Sequence, residues 1–454
     1  MEDPKKTNEP IRENKLGVMP IGRLLASMSI PTMFSMLIQA LYNIVDSIFV
    51  SRLSEKALTA VSLAFPMQNL LIAFAVGISV GICSVVSRRL GEKREDEAFK
   101  AAETGYAILL VCTVAFMIIG ALFSRPFFKL YTDDPELIEM GTSYLRICLI
   151  VSLGCFLGVF NEKILQSTGD TIHPMIIQLC GAVFNIIFDP ILIFGYLGFP
   201  AMGIKGAAYA TVAGQIVSMF VGVYFTKRNQ YVNIKFFRFA FDRKAAKDIL
   251  QVGLPSVVMQ GIGTIMTSLM NAILISYEIV ATTVFGVYFK LQSFVFMPVF
   301  GLNSGLMPIL AYNYGAKNKD RMMRALKLGM IVAFVIMLLG MLVFVFFPDT
   351  LLGLFEASPR MLEVGEVALR RIALSFPLAA FTIILGALFQ AMGDGYISMI
   401  TSITRQIGIL IPASWLLGKL FGLDAIWFSF IIAEVFVIVL SILFFGKEKK
   451  KLQF

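Results

Sequence analysis

The sequence GISVGICSVVSRRLGEK, at residues 77–93, returns as GLNSGLMPILAYNYGAK at residues 301–317, an offset of 224 positions. Three glycines and the closing lysine match between the two stretches. The same offset holds without a gap from residue 31 to residue 175, which aligns with residues 255 to 399. A repeat of this size predicts two homologous halves. In a membrane protein it is typical of secondary transporters, whose halves move around a shared site.

The composition places the chain in a membrane. Apolar residues make up 57% of it, charged residues 15%, and the mean hydropathy is +0.80, values typical of a helical bundle in lipid. Twelve segments are long enough to cross the hydrocarbon core, which takes about 20 residues as a helix. They show no alternation of period two, so we predict an all-α integral membrane protein with twelve transmembrane helices. The predicted spans are 24–50, 58–84, 104–123, 142–165, 172–195, 203–225, 249–275, 281–310, 328–347, 366–390, 396–417 and 423–445.

The repeat also predicts the architecture. Each copy holds six spans, an even number, so both copies enter the membrane in the same direction and are related by an axis along the membrane normal. We expect two parallel six-helix repeats, the N lobe and the C lobe, around a central cavity. The predicted boundaries are an N-terminal tail at 1–23, the N lobe at 24–226, an inter-lobe linker at 227–247, the C lobe at 248–446 and a basic C-terminal tail at 447–454.

Lysine and arginine residues predict the orientation. Most of the 39 lie in the tails and in the loops near 88–100, 227–247 and 317–327, and such residues concentrate on the cytoplasmic side. We therefore predict a multi-pass protein of the cell membrane with both termini in the cytoplasm. The first span is too long for a signal-peptide core, so we expect no cleavage. Because the basic clusters border the spans, the net charge of +9 indicates membrane lipid as a partner and not nucleic acid.

The sequence lacks the residues that several kinds of chemistry require. The five cysteines lie within predicted spans and form no CxxC motif, and His173 is the single histidine, so we predict no metal site of the His or Cys type. No phosphate-binding loop of the GxxxxGK[ST] type occurs. We therefore expect no enzyme and no cofactor, and we expect transport to be driven by an H⁺ gradient, an Na⁺ gradient or the solute's own gradient.

Two acids within predicted spans, Asp46 and Asp189, occur in the N lobe and not at the equivalent positions of the C lobe. Asp46 aligns with Met270 of the second copy, and Asp189 aligns with Ala413. A charge at the centre of a transmembrane helix costs roughly 2.5 to 3.5 kcal/mol and is by default a functional candidate. The alternative is that Asp46 is shallow enough to reach water. Asn185 lies one helical turn before Asp189, and both acids have comparable depth, so the two could share one proton or one cation such as Na⁺.

Three further charges are predicted to lie deep in the C lobe. Lys290, Arg405 and Glu434 are each near the middle of a span. Glu434 could therefore pair with either base near the bilayer centre. A structural ion pair is one interpretation. The alternatives are substrate binding, or a cation site if Glu434 has no basic partner.

Four groups of residues form a recognisable set. They are Ser29-Ile30-Pro31, the segment from Tyr42 to Asp46, the segment from Gln166 to Asp170 with its echo from Gln390 to Asp394, and Met297-Pro298 with the stretch from Gly301 to Ala316. Together they resemble the MATE (multidrug and toxic compound extrusion) family over essentially the whole chain. The resemblance implies twelve helices in two six-helix lobes with a V-shaped central cavity. It also implies export of drug-like, often cationic solutes in exchange for H⁺ or Na⁺.

The chain is similar to the branch of that family that carries its coupling acids in the N lobe. Asp46 and Asp189 match these acids, and Pro31 matches a proline at which the first helix bends. The residues that match polar partners in the site are Gln39, Tyr42, Asn185, Thr211 and Asn161. The resemblance therefore implies an ion-coupling and substrate-binding site built from these residues.

Two other functions compete with export of small molecules by a monomeric antiporter. A flippase for lipid-linked oligosaccharides, from the same superfamily, would need several cations deep in the cavity to hold a pyrophosphate, and few basic residues lie deep here. A membrane-embedded enzyme or sensor would need a catalytic His, a metal cluster or a soluble module. Antiport is the function that the sequence favours.

Overall fold

The computed structural model describes residues 14–232, 241–355 and 357–448, and the regular elements in these ranges are helices. The predicted tails and linker lie partly outside them, at residues 1–13, 233–240 and 449–454. The N-lobe helices are α1 (Lys15–Val18), α2 (Ile21–Ser51), α3 (Glu55–Gly91), α4 (Glu95–Lys129), α5 (Pro135–Ile150), α6 (Leu153–Ser167), α7 (Ile172–Phe194) and α8 (Ile204–Lys227), with a 3₁₀ turn at Tyr196–Gly198.

The C lobe repeats this order. Its helices are α9 (Arg243–Ile275), α10 (Ile279–Gly315), α11 (Lys319–Phe346), α12 (Pro348–Gly353), α13 (Pro359–Ala373), α14 (Phe376–Met392), α15 (Gly395–Ile403), α16 (Ile411–Phe421), α17 (Leu423–Ile426) and α18 (Ser429–Glu448), with a π-helical segment at Thr404–Leu410 between α15 and α16. Ten stretches of helix in the described part of the chain are long and apolar enough to cross a membrane, and the number is twelve when two bent pairs each count as one span. The prediction of twelve spans in two lobes is confirmed.

The two bent pairs correspond to the spans predicted at 142–165 and 366–390, each of which is broken in the structure. α5 meets α6 at 45°, and α13 meets α14 at 47°. In the C lobe the break has a clear cause. Pro377, at the second position of α14, has no N–H to donate to the preceding turn, so the helix cannot continue unbroken. The N lobe breaks at the equivalent place without a proline, and the sequence carries no comparable signal there.

The lobes pack through two equivalent glycine faces. On α3, a Cβ at Gly77 would lie 2.5 Å from the backbone nitrogen of Val257 on α9. On α10, a Cβ at Gly301 would lie 2.5 Å from the Cα of Met33 on α2. Glycine permits this close approach because it has no side chain. Each lobe therefore contributes one glycine-bearing helix face, on α3 or α10, that packs closely on the other lobe. We call this two-fold repeated interface between the lobes the seam.

The seam runs from one end of the bundle to its middle. At the end that carries Arg88, here called the basic end, the Arg88 guanidinium donates to Met392 O across the lobes at 3.0 Å. Further along, Asn69 donates to Thr264 Oγ1 of α9 at 2.9 Å. At the level of Asn69 and from there toward the other end of the bundle, α3 and α10 have exposed faces. We call this opening the central gap, and its exposed lining includes Ser62, Pro66 and Leu70 of α3 and Gly286, Lys290 and Phe294 of α10.

The start of the described chain bridges the lobes at the basic end. Asn14 Nδ2 donates to Thr168 O of the N lobe at 3.1 Å. Leu16 is fully buried, and its carbonyl oxygen accepts from Asn313 Nδ2 at 3.1 Å and from Arg321 Nη2 at 3.2 Å, both in the C lobe. The last part of the predicted N-terminal tail is therefore packed against both lobes, and α2 begins three residues before the predicted start of its span.

Candidate functional site

The two predicted acids of the N lobe lie together. α2 carries Asp46 and α7 carries Asp189, and the two carboxyl groups lie near enough to interact directly. Asp189 is fully buried, and Asp46 Oδ1 is buried without a hydrogen-bond partner among the described residues. Two carboxylates in contact repel strongly where the dielectric constant is low. One shared proton or one bound cation removes that repulsion, so the pair can hold either.

Asn185 connects Asp189 to the neighbouring helix α8. When its amide is oriented to satisfy its hydrogen bonds, Nδ2 donates to Asp189 Oδ2 at 2.9 Å and Oδ1 accepts from Thr211 N at 3.1 Å. Tyr42 is one turn before Asp46 on α2, and its hydroxyl lies near the Thr211 side chain. The structure therefore brings five of the predicted residues into one cluster, here called the acid site: Asp46, Asp189, Asn185, Thr211 and Tyr42.

Two residues beside the acid site were missed by sequence reasoning. The Tyr144 hydroxyl of α5 lies close to Asp46 and Tyr42, and it is bonded to Gln68 Nε2 of α3 at 3.3 Å. Gln68 does align with Gln292 of the second copy, a signal that marks the position. A single uncharged polar residue in a span costs far less than a charge, so it attracts less notice.

Gln39 lies further toward the basic end. It is seven residues before Asp46 on the same face of α2, and its Oε1 accepts from Gln178 Nε2 of α7 at 3.0 Å. Gln178 in turn is seven residues before Asn185. Since seven residues make about two helical turns, this amide pair lies roughly 10 Å along the same α2–α7 interface. It adjoins the acid site without touching the acids.

Asn161 is not part of the acid site. It is fully buried in α6, where Nδ2 donates to Leu157 O at 2.6 Å, and it packs against Gly222 of α8. Gly222 is eleven residues beyond Thr211 on the same helix, a distance of roughly 16 Å. The structure thus places Asn161 in the packing between α6 and α8.

Pro31 lies inside the continuous helix α2. Proline lacks the N–H that would bond to the carbonyl four residues earlier, here Ser27 O. The hydroxyl of Thr171, at the start of α7, donates to that carbonyl at 2.9 Å. Next to the proline, Thr32 Oγ1 donates to Gly301 O of the C lobe at 2.7 Å. The weakest point of α2 is therefore tied both to α7 and to the lobe seam.

The deep charges of the C lobe separate into a pair and a single residue. Arg405 Nη1 lies 3.1 Å from Glu434 Oε1, and Thr382 Oγ1 donates to Glu434 Oε2 at 3.0 Å. Arg405 belongs to the π-helical segment. Lys290 is not in this pair, and its ammonium group lies 5.9 Å from the centre of the Phe355 ring. Of the two predicted partners of Glu434, the structure selects Arg405.

The described residues contain no cluster of three or more His, Cys, Asp or Glu side chains that could hold a metal ion. The oxygen atoms of the acid site come instead from two carboxyls, an amide and hydroxyl groups. Oxygen ligands of this kind suit a hard monovalent or divalent cation. The chemistry available at the site is therefore binding and release of a proton or a cation.

Comparison with known proteins finds one family model, MatE, which matches residues 31–191 and 255–416. A FAD transporter of Shewanella oneidensis is 26% identical over 395 residues, covering 87% of each chain. The multidrug export protein MepA of Staphylococcus haemolyticus is 26% identical over 416 residues, covering 91% of each. A solved outward-facing structure of a multidrug resistance MATE family transporter of the MOP superfamily superposes with a TM-score of 0.91 at 26% identity, covering 98% of this chain and 99% of that one.

Proposed function

The chain belongs to the MatE family, and on that premise we propose that it is a secondary antiporter that exports drug-like, cationic or lipophilic solutes in exchange for H⁺ or Na⁺. The observation that carries the proposal is the proximity of two buried acids, Asp46 and Asp189, inside the N lobe. A membrane-buried acid pair with neutral hydrogen-bonding neighbours is the kind of site at which ion binding changes the local charge by one unit. The similarity to a multidrug export protein supports the solute class.

The acid site and the lobe seam share one helix. Asp46 lies near the end of α2, and Thr32 of the same helix is bonded to Gly301 across the seam. Pro31 directly precedes Thr32 in α2, and there the helix lacks one of its own hydrogen bonds. Loading an ion at Asp46 and Asp189 would change how α2 packs on α7. The proline gives α2 a place to bend, and Thr32 passes that change to the C lobe.

Ion exchange then requires that solute and ion favour different arrangements of the lobes. A ligand shifts such an equilibrium only by the difference in its affinity for the two states. In the conformation described, the lobes are closed at the basic end and the central gap is open at the other end. If the ion stabilises one arrangement and the solute the other, each drives the other across the membrane.

We place the basic end in the cytoplasm, following the distribution of Lys and Arg. In the cell membrane this orientation puts both termini inside and opens the central gap to the exterior. Each chain encloses its own gap and its own acid site, so a monomer surrounded by membrane lipid is sufficient for the cycle. Small solutes would enter from the cytoplasm in the opposite arrangement of the lobes.

Reconstituted liposomes test this proposal directly. Purified protein is inserted, an H⁺ gradient or an Na⁺ gradient is imposed, and movement of ethidium is followed by fluorescence. FAD enters the solute panel because one relative carries that name. We expect ethidium transport that requires one of the two gradients and collapses when that gradient is dissipated. Transport of no solute in the panel under either gradient, with correctly inserted protein, would refute antiport.

A further inference from the structure

Lys290 is a charged residue in the first third of α10, and we propose that it binds the anionic group of a transported solute within the central gap. This inference rests on the proposed export function and names part of its substrate class: amphipathic solutes that carry a carboxylate, sulfonate or phosphate. The argument begins with the direction in which Lys290 projects.

Lys290 lies on the seam face of α10. Gly301, which packs on Met33 of α2, is eleven residues further along, and eleven residues bring a helix back to the same face after about three turns. Between them, Phe294 is 46% exposed on that face. Since the seam ends before these residues and Lys290 is itself exposed, its side chain projects into the central gap and not into the core of the C lobe.

The equivalent position of the N lobe supports this placement. Lys290 aligns with Pro66 of α3, which is likewise exposed and lies on the face that carries Gly77. The exposed neighbours on the two faces, Leu70 and Phe294, are apolar. Only the C-lobe copy of this position carries a charge. The gap is thus asymmetric, with an ammonium group on one wall and an uncharged surface opposite it.

The ammonium group of Lys290 is available to a ligand. Within the described ranges no carboxylate lies within 4 Å of it, whereas Arg405 in the same lobe is neutralised by Glu434 at 3.1 Å. Its ring contact with Phe355, at 5.9 Å, is near the limit for a cation–π interaction. A charge at this depth is costly and marks a functional candidate. A solute anion that reaches this group can accept a charge-assisted hydrogen bond from it.

The chemistry of lysine sets the breadth of recognition. An ammonium group is a compact point charge with three rotatable donors, so it attracts anions without selecting a planar geometry as arginine does. With the exposed Phe294 one turn away on α10, the subsite suits a solute with an apolar body and one anionic group. A cationic solute such as ethidium gains nothing from this ammonium group, so its positive charge would lie elsewhere in the gap.

The test compares an anionic and a cationic probe of similar size on the full-length protein in lipid nanodiscs. Binding of carboxyfluorescein and of ethidium is measured for the wild type, Lys290→Gln and Lys290→Arg. The matched control is Lys129→Gln, which removes an exposed lysine at the end of α4, on the periphery of the N lobe. We expect Lys290→Gln to weaken carboxyfluorescein binding by about tenfold or more while ethidium binding stays equal or tightens. Lys290→Arg and Lys129→Gln should retain carboxyfluorescein binding.

Two results would overturn the inference: a wild type that does not bind carboxyfluorescein, or a Lys290→Gln variant that binds both probes as the wild type does. Equal weakening of both probes would indicate a structural role and would also count against it. The export function is tested separately, by gradient-driven transport in liposomes. Absence of gradient-driven transport refutes export even where Lys290-dependent anion binding persists.

Discussion

Gly91 and Gly315 occupy equivalent positions in the two repeats, and each lies against a backbone carbonyl oxygen of the other lobe. A Cβ on Gly91 would be 2.0 Å from Tyr312 O, and a Cβ on Gly315 would be 2.0 Å from Arg88 O. One contact is thus made twice, by α3 on α10 and by α10 on α3. The basic end is closed by backbone packing that leaves no room for a side chain.

Gly315→Ala should therefore hold the lobes apart at the basic end. The added methyl group meets backbone, which cannot rotate away as a flexible side chain could, so the closed arrangement is destabilised relative to the opposite one. The measurement is the distance between spin labels placed on the basic ends of α4 and α11, by electron paramagnetic resonance. We expect a longer mean distance or a new longer component.

Gly386→Ala is the matched control, because a Cβ at Gly386 in α14 would meet nothing within 4 Å. Its label distances should equal those of the parent protein. An unchanged distribution in Gly315→Ala, with full incorporation into membranes, would contradict the view that this glycine pair closes the basic end.

A second prediction concerns the acid site. Asp189→Asn keeps the size and hydrogen bonding of the side chain but fixes it in a neutral form. The variant should fold and bind solute yet fail to exchange it against the ion, because loading and unloading no longer change its charge. Binding is measured by ethidium fluorescence and exchange by gradient-driven transport in liposomes. We expect near-parental affinity with transport reduced at least about tenfold.

Asp133→Asn is the control for this experiment, since Asp133 is an exposed acid in the loop before α5. Asp46→Asn should behave as Asp189→Asn does, with a smaller loss if the proton is held mainly by Asp189 and its partner Asn185. Transport by Asp189→Asn at the parental rate, with the same dependence on pH and Na⁺, would remove the acid pair from the coupling mechanism.

Much of the fold could be predicted from the sequence because its two strongest signals can be read along the chain without knowledge of the tertiary structure. Hydrophobic length predicts each span without knowledge of its neighbours, and the fixed offset between Pro31 and Pro255 predicts two lobes of equal direction. The bends could be predicted less well. Pro377 accounts for one, whereas the break after Ile150 depends on tertiary packing that no local residue signals.

The acid site was predictable in its charged members and less so in the rest. Asp46 and Asp189 are conspicuous because a buried charge is costly, but Tyr144 and Gln178 are ordinary residues until their helices are placed. The partner of Glu434 posed a different problem. Sequence gives the depth of Lys290 and Arg405 but not the rotation of each helix, and rotation decides which base faces the acid.

A third prediction concerns the bridge formed by residues 14–19. Arg321 Nη2 donates to Met19 O at 2.7 Å and to Leu16 O at 3.2 Å. Arg321→Gln removes the guanidinium group that makes both hydrogen bonds. We expect backbone hydrogen exchange at residues 16–19 to rise by about fivefold, which corresponds to about 1 kcal/mol for hydrogen bonds in a partly exposed setting. Arg324→Gln, an exposed neighbour on α11, is the control and should leave exchange unchanged. Equal exchange in both variants would show that Arg321 does not secure the bridge.

The last prediction uses the choice between two bases. Glu434→Gln leaves the Arg405 charge without its acidic partner. The free energy of unfolding in detergent, measured by thermal denaturation, should therefore fall by about 1 to 3 kcal/mol. Adding Arg405→Met removes that charge and should restore part of the loss, whereas adding Lys290→Met to Glu434→Gln should restore none. The two double-mutant cycles thus differ only in the base removed. Recovery of stability with Lys290→Met, and not with Arg405→Met, would contradict the prediction, because it would make Lys290 of α10 the partner of Glu434. Parental stability of Glu434→Gln combined with lost transport would make Glu434 a binding residue.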